Sequence, residues 1–243
     1  MDNKQWFKEA KFGMMIHFGL YSLLAGEWKG KRTDMIAEWA QSCFQIPIKE
    51  YEKLMQAFNP IYFDADEWCD LAVAAGMKYI VVTTKHHEGF CLFDSKCSDY
   101  TSVKHGCKRD IVREYVDAAR EAGLKVGLYY SLLDWRFPGY FEPEKYPESK
   151  DALIAQIFTQ VRELMTNYGQ IDLLEYDGGW DSKLNLKRDG WAQFWNAAEL
   201  NAIVRELQPQ IIINDRSGKD EDIETPEQVL RAGYLGGAGF LTM

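Results

Sequence analysis

The stretch KYIVVTTKHH, residues 78–87, is the most apolar strand-like run of the chain. Its β-branched and aromatic residues predict a strand that is buried on both faces. Four other runs have a similar composition: FGMMIHFGL (12–20), KVGLYYSLL (125–133), IDLLEYD (171–177) and QIIINDR (210–216). We therefore predict five buried strands.

Segments with a helical period separate these strands. DADEWCDLAVAAGM (64–77) begins with acidic residues, and DIVREYVDAAREAG (110–123) begins at Asp110, a good N-cap residue, and stops at a glycine. Residues 151–169 and 189–209 repeat this pattern. Strands and helices that alternate every ~40–45 residues are typical of βα units on a parallel sheet.

Polar residues at the ends of the strands favour a barrel over a doubly wound sheet. The carboxyl ends of the predicted strands carry functional side chains, and in a barrel those ends converge on one face. No G-x-G-x-x-G motif follows any strand, so the usual sign of a dinucleotide-binding fold is missing. No linker or repeat divides the chain. We predict a single α/β domain over residues 1–243, a (β/α) barrel of TIM type. The strand-end residues are His17, His86, His87, Tyr129, Asp177, Asn214, Asp215 and Arg216.

The charge of the chain argues against two classes of partner. The formal net charge is -9 at pH 7, whereas nucleic acids and anionic membranes require a basic face.

No stretch approaches the ~20 apolar residues that span a bilayer. The N-terminal stretch MDNKQWFKEAKFG (1–13) lacks the basic and apolar regions of a signal peptide. We expect no nucleic acid and no membrane among the partners.

The cysteines predict a reducing compartment. Their number is odd and no two form a C-x-x-C motif, so buried or incidental thiols are the simplest interpretation. We therefore expect the protein in the cytoplasm. The five residues are Cys43, Cys69, Cys91, Cys97 and Cys107.

Asp177 is the first candidate for catalysis. It lies in LLEYDGGW (173–180), where an apolar strand runs into two glycines that allow a sharp turn beside the carboxylate. A carboxylate in this position suits a nucleophile in glycosyl transfer. The alternative is an aspartate that caps the following turn.

His86 and His87 follow the most apolar strand. Adjacent residues of a strand point to opposite sides, so we expect one histidine to contact a ligand and the other to pack. A metal site would need a further histidine or a carboxylate, and the H-E-x-x-H motif is absent. We predict no metal and no cofactor, and keep a metal-dependent hydrolase that uses both histidines with Asp177 as a remote alternative.

Other side chains with binding chemistry lie near the predicted strand ends. His17 could hold a sugar hydroxyl, and is equally well explained as a structural histidine. Glu38 and Trp39 pair an acceptor with an aromatic platform, although such pairs are common on surfaces. Tyr129 could likewise bind a ligand or serve a structural role. These residues are candidates for binding rather than for chemistry.

The second carboxylate that glycoside hydrolysis requires is harder to locate from the residues alone. The acidic stretch KDEDIETPE (219–227) contains the candidates. Glu227 is attractive because Pro226 restricts the backbone before it and the chain then becomes apolar. The candidates are Asp220, Glu221, Asp222, Glu224 and Glu227.

Several blocks of sequence resemble the α-L-fucosidases of glycoside hydrolase family 29, in the family's order and at similar spacings, from about Trp6 to Gln228. The blocks HHEGFCLFDS (86–95) and GLYYS (127–131), with DWR (134–136), are the most specific. The full set is WFKEAKFGMMIHFGLYS (6–22), AEWA (37–40), residues 78–102, residues 108–137, YDGGW (176–180), INDR (213–216) and DIETPEQ (222–228).

The resemblance implies a retaining exo-α-L-fucosidase that acts on fucosylated oligosaccharides or glycosides. Asp177 would be the nucleophile and Glu227 the acid/base, about 5–5.5 Å apart as in retaining enzymes. The acid/base position varies among subgroups of the family. The residues that would hold the fucose ring and its hydroxyls are His17, Glu38, Trp39, His86, His87, Tyr129 and Arg216.

The chain departs from the family in two respects. Glu175 stands two residues before Asp177, where the family often has an aromatic residue. The chain is also shorter than the family's catalytic domain, and we expect it to lack the family's C-terminal β-sandwich. We therefore expect an incomplete barrel of about five to six βα units that self-associates as a homo-oligomer to cover the open edge. The alternative function is a fucose-binding or vestigial barrel fragment with little catalysis.

Overall fold

Five parallel strands form the sheet at the centre of the computed structural model, which describes residues 4–179, 184 and 186–226. The strands of the chain are β1 (Met14–Ile16), β2 (Glu27–Trp28), β3 (Lys31–Arg32), β4 (Tyr79–Lys85), β5 (Lys125–Ser131), β6 (Leu173–Asp177) and β7 (Ile212–Ile213). The order of strands in the parallel sheet is β1-β4-β5-β6-β7, and β2 and β3 form a separate antiparallel hairpin. All five predicted strands are confirmed, each shorter than its apolar run.

Apart from the first helix, which precedes β1, the helices connect consecutive strands of the sheet. They are α1 (Gln5–Ala10), α2 (Ala40–Cys43), α3 (Ile48–Tyr51), α4 (Ala65–Ala74), α5 (Ile111–Glu121), α6 (Pro138–Phe141), α7 (Pro147–Asn167), α8 (Arg188–Phe194) and α9 (Ala197–Leu207). Short 3-10 turns cover Leu20–Leu23, Ala37–Trp39, Glu52–Gln56 and Asp215–Ser217. Among the described residues, no helix is both long and apolar enough to cross a membrane.

Two of the predicted helices begin at side-chain caps. Asp64 accepts hydrogen bonds from the backbone N–H groups of Asp66 and Glu67 at 3.0 and 3.2 Å. Asp110 accepts one from Arg113 at 2.8 Å. These bonds satisfy donors that have no partner within the first turn of a helix. Asp110 is thus the N-cap that the sequence predicts, and Asp64 caps the helix of the segment that begins with acidic residues.

One predicted helix is wrong. Residues 189–209 form two helices, α8 and α9, separated at Asn196, whose backbone is left-handed with φ 51° and ψ 42°. Asparagine adopts this conformation more readily than most residues. The break lets Trp195 bury its ring completely, stacked on Tyr140 at 5.7 Å between ring centroids. Packing of large aromatic rings therefore overrides the helical period.

The two faces of the sheet bury different cores. Outward side chains such as Val82 and Leu128 pack against the helices. Inward side chains such as Val81 and Leu173 form a second cluster, which Phe7 of α1 closes at the amino ends of the strands. Apolar residues on both faces are the reason that the strands have near-continuous apolar sequences.

Over the described residues the sheet stays open, with β1 and β7 at its edges. The architecture is α/β, with the strand direction and helix layer of a (β/α) barrel, and five strands are too few to close an eight-stranded barrel. The fold class expected from the sequence is confirmed in this incomplete form.

Candidate active site

The register of the sheet brings the strand-end residues together. Thr83 of β4 pairs with Tyr129 of β5, and Tyr129 pairs with Glu175 of β6. One pleat further on, Ser131 pairs with Asp177. Because side chains two residues apart point to the same face, Tyr129, Ser131, Glu175 and Asp177 share the inner face near the carboxyl ends of the strands.

Asp177 is the last residue of β6. The Tyr129 hydroxyl donates a hydrogen bond of 2.5 Å to its Oδ2. Burial and the nearby Asp177 charge raise the pKa of Tyr129 well above its usual value, so the hydroxyl keeps its proton and is the donor. The Asp177 side chain remains 18% exposed, which leaves a carboxylate that is both oriented and accessible.

Two glycines follow Asp177, as the sequence analysis requires. Gly178 and Gly179 have φ values of 128° and 90°. A Cβ atom on Gly178 would lie 3.0 Å from the backbone nitrogen of Leu133. The chain can leave the strand in this direction only without side chains at these two positions.

His87 lies beside the carboxylate in a defined tautomer. Its Nδ1 is 2.7 Å from Ser131 Oγ, and Ser131 donates its only hydroxyl proton to the carbonyl oxygen of Leu133 at 2.6 Å. His87 Nδ1 must therefore donate to Ser131. Burial and the neighbouring His86 lower the pKa of His87 well below its usual value, so the ring is neutral and Nε2 carries a lone pair. Nε2 lies 3.7 Å from Asp177 Oδ2.

His86 also faces the site. Its ring stacks on Tyr129 at 5.6 Å with an angle of 11°, and His17 lies 5.5 Å from it. Both adjacent histidines lie beside Asp177, with ligand atoms within 4.8 Å of its carboxylate, rather than on opposite sides of the sheet. The strand ends at Lys85, before both histidines, so the alternation of a strand does not apply to them.

The histidines of the site are neutral near pH 7. Burial and the adjacent His86 lower the pKa of His17 to about 4, although Glu38 opposes this shift. Burial also lowers the pKa of His86 to about 3, again against the charge of Glu38. Neutral imidazoles can both donate and accept hydrogen bonds, which suits them to sugar hydroxyls.

Glu38 and Trp39 belong to the 3-10 turn Ala37–Trp39, which follows β3. The Trp39 ring meets His87 edge-on at 5.4 Å and Trp135 at 5.6 Å. Both residues of the pair are half-buried. The structure thus brings Glu38 and Trp39 together with His17, His86, His87, Tyr129 and Asp177.

Arg216 and Glu227 are the remaining site residues expected from the sequence. Arg216 is half-buried in the 3-10 turn Asp215–Ser217, directly after β7 at the carboxyl edge of the sheet. Glu227 lies outside the described residues. Thr225, two residues before it, is buried in contact with Asn214.

Sequence reasoning missed three residues around the site. Ser131 orients His87, and its position two residues after Tyr129 on the same strand face was a usable signal. Trp135 packs on Trp39 and His87 and is 8% exposed. Glu88 is 1% exposed with Oε2 3.6 Å from His86 Nδ1, and burial raises its pKa to about 8.

Glu175, which departs from the family pattern, points toward the interior of the sheet. It shares the inner face with Leu173 and Asp177 and is 3% exposed. Burial, with the Glu175 charge nearby, raises the pKa of Tyr79 on the same face to about 12. A second carboxyl group therefore lies one pleat below Asp177.

One group of side chains has the composition of a metal site. His86, His87 and Asp177 each offer a ligand atom, and these atoms all lie within 4.8 Å of one another. Two histidines and a carboxylate are a ligand set that catalytic zinc sites use. This geometry supports the alternative that the sequence left open, and the expectation of no metal stays a prediction.

The fold and the site together are those of a (β/α)-barrel domain with a carboxylate at the end of a strand. The family model for alpha-L-fucosidase matches residues 1–234. The chain belongs to the alpha-L-fucosidase family.

Individual relatives agree with this assignment. Plasma alpha-L-fucosidase of Rattus norvegicus is 35% identical over 228 residues, which are 88% of this chain and 47% of that protein. Alpha-L-fucosidase AlfC from Lactobacillus casei has a TM-score of 0.80 and 40% identity over 94% of this chain and 75% of AlfC. A family 29 alpha-L-fucosidase from Bacteroides thetaiotaomicron has a TM-score of 0.83 and 35% identity over 93% of this chain and 54% of that one.

The chain spans about half the length of the curated relatives that it matches. AlfC has also been crystallised with its α-L-fucose product, and a mutant of AlfC with 4-nitrophenyl α-L-fucopyranoside and with Fucα(1,6)GlcNAc.

Proposed function

We propose that the chain is a retaining exo-α-L-fucosidase. The observation that carries this proposal is the 2.5 Å hydrogen bond from Tyr129 to Asp177, a carboxylate at the strand end among neutral histidines. Membership of the alpha-L-fucosidase family supports it. The substrates are fucosylated oligosaccharides or glycosides, which the complexes of AlfC support.

The reaction is a double displacement with two carboxylates. Asp177 attacks the anomeric carbon while a protonated Glu227 donates to the leaving oxygen. Glu227 then removes a proton from water, which releases fucose with its configuration retained. Tyr129 holds the nucleophilic oxygen in place for the attack.

The other site residues hold the sugar. His17, His86 and His87 exchange hydrogen bonds with fucose hydroxyls, and His87 accepts through Nε2 because its proton is on Nδ1. Glu38 accepts from a further hydroxyl. Trp39 offers an apolar face to the C–H groups of the ring. Arg216 donates from the edge of the site. No cofactor takes part.

Release of nitrophenol from 4-nitrophenyl α-L-fucopyranoside tests this function. We expect turnover by the wild-type chain and a loss of at least about a thousandfold in Asp177→Ala, because the nucleophile is gone. Asp117→Ala is the matched control, since Asp117 is a 61% exposed aspartate on α5. A wild type that binds fucose without turnover would favour the binding or vestigial fragment instead.

A metal-dependent hydrolase is the second candidate, favoured by the cluster of His86, His87 and Asp177. Dialysis against a chelator separates the two functions. The fucosidase reaction with two carboxylates keeps its full rate, whereas a metal-dependent reaction is lost and returns when zinc is added.

We propose further that residues 1–243 form one catalytic domain that assembles as a homo-oligomer in the cytoplasm. The single parallel sheet supports one domain, and its edge at β1 supports pairing between copies. The five cysteines are free thiols, in keeping with a reducing compartment. Sedimentation at micromolar concentration tests the assembly, and a monomer would contradict it.

A further inference from the structure

The side chain of Asn214 occupies the position where β7 would otherwise continue its pairing with β6. Its Oδ1 accepts the N–H of Tyr176 at 2.8 Å, and its Nδ2 donates to the Tyr176 carbonyl at 2.9 Å. Tyr176 is the residue directly before Asp177. Asn214 is fully buried, so these bonds form away from competing water.

The second proton of Asn214 Nδ2 goes to a different segment. Nδ2 donates to Thr225 Oγ1 at 3.0 Å, so both N–H groups of the amide have an acceptor. The backbone N–H of Thr225 donates in turn to Asp215 Oδ1 at 3.0 Å. Thr225 is 7% exposed, so its hydroxyl is also removed from solvent.

The same segment is fixed at its start by charged residues. Arg205 of α9 donates to Asp222 Oδ2 at 2.6 Å and to Glu221 Oε2 at 2.8 Å. Asp222 Oδ2 also accepts the N–H of Ile213 in β7 at 3.0 Å. Residues 221–226 are therefore held at both ends against the edge of the sheet.

We propose that Asn214 and Thr225 are positioning residues of the fucosidase reaction. Their hydrogen bond ties the strand that carries Asp177 to the segment that leads, two residues later in the sequence, to Glu227. This inference rests on the proposed function, in which Glu227 is the acid/base. A retaining pair works only over a narrow separation, and a misplacement of ~1 Å can cost ~100-fold in rate.

The test compares two leaving groups. A 2-chloro-4-nitrophenyl fucoside needs little help from an acid, whereas a phenyl fucoside depends on protonation of its leaving oxygen. In Thr225→Val the hydroxyl is lost at nearly constant volume. We expect kcat/KM to fall about tenfold or more for the phenyl fucoside and to change less than about twofold for the activated one.

Thr225→Ser is the matched control, because it keeps the hydroxyl and is expected to behave as wild type with both substrates. Circular dichroism checks the fold of each variant, and Thr225→Ala replaces Thr225→Val if the valine variant does not fold. An equal loss with both substrates, or no loss, would overturn the inference alone. An inactive wild type would overturn the proposed function and the inference with it.

Discussion

At the scale of single residues, the site depends on where protons are held. Tyr129 keeps its proton and donates to Asp177, and His87 holds its proton on Nδ1 because Ser131 can only accept there. Both arrangements follow from burial and from hydrogen-bond partners on β5. Nε2 of His87 lies 3.7 Å from Asp177 Oδ2, the oxygen that accepts from Tyr129.

Removal of the Tyr129 hydroxyl tests the first arrangement. We expect Tyr129→Phe to lower kcat/KM for nitrophenyl fucoside about 10- to 100-fold, because a charge-assisted hydrogen bond no longer orients the nucleophile. The control is Tyr130→Phe on the same strand, whose hydroxyl points to Gln160 on the opposite face. Tyr130→Phe is expected to keep activity within about twofold of wild type. Equal effects of the two changes would contradict a role for Tyr129.

The tautomer of His87 can be observed directly. Nitrogen NMR of the imidazole ring at neutral pH is expected to show a protonated Nδ1 and an unprotonated Nε2. In Ser131→Ala the acceptor for Nδ1 is missing, so the signals are expected to move toward a mixture of both tautomers. A wild-type ring protonated on Nε2 would refute the arrangement.

The sequence predicted most of these residues but not the hydrogen bonds between them. Strand-end position singled out His17, Tyr129 and Asp177 because parallel strands share one carboxyl edge. It did not find Glu88, because a buried glutamate carries no pattern that separates it from a structural residue. It also missed Ser131, although the position of Ser131 two residues after Tyr129 on the same strand face was a usable signal. The orientation of His86 and His87 depended on where the strand stops, which periodicity fixes only within a few residues.

At the scale of elements, the break between α8 and α9 shows where tertiary packing overrides a local pattern. The helical period continues through residues 189–209, yet the chain turns at Asn196 so that Trp195 is buried. Caps and strands, in contrast, were predictable, since Asp64 and Asp110 act through bonds within one turn. The start of a helix can therefore be predicted when the residue that caps it bonds to near neighbours in the sequence.

The left-handed residue gives a test at this scale. We expect Asn196→Ala to lower the free energy of unfolding by about 1 kcal/mol, because alanine pays a steric cost at φ 51°. Asn196→Gly is expected to stay within about 0.5 kcal/mol of wild type, since glycine adopts this conformation freely. Urea denaturation measures both variants. A stabilised alanine variant would mean that one continuous helix is accessible.

At the scale of the whole molecule, stability should depend on pH through the buried groups around the site. His17 and His86 have lowered pKa values of about 4 and about 3, so the stability that they contribute is present above pH ~6.5 and is lost as the pH falls. Glu88 has a raised pKa of about 8. Its contribution is present below pH ~4.5 and is lost as the pH rises through 8.

Glu88→Gln isolates the second effect. Between pH 6.5 and 8 the wild type is expected to lose up to about 2 kcal/mol relative to Glu88→Gln, because only the wild type must release this buried proton. Denaturation of both proteins at the two pH values gives the difference. Glu199→Gln, which removes an exposed carboxylate of α9, is expected to keep the wild-type dependence. A constant difference between wild type and Glu88→Gln would exclude the raised pKa.

The sequence predicted the class of the sheet but not all of the pairing between its strands. Alternating strands and helices indicated parallel βα units, and the described strands adopt the order β1-β4-β5-β6-β7. The side-chain pairing of Asn214 with Tyr176, which shortens β7, could not be predicted because it joins residues 38 positions apart in the sequence. Contacts of this range depend on the assembled fold rather than on any local pattern.

Covalent trapping tests whether Asp177 is the nucleophile of a retaining fucosidase. Incubation with 2-deoxy-2-fluoro-L-fucosyl fluoride should trap the fucosyl-enzyme, since fluorine at C2 slows both steps and the fluoride leaving group favours the first. Peptide mass spectrometry then locates the sugar. We expect one fluorofucosyl group on Asp177 and none in Asp177→Ala. A label on another carboxylate, or an active wild type that is never labelled, would contradict the claim.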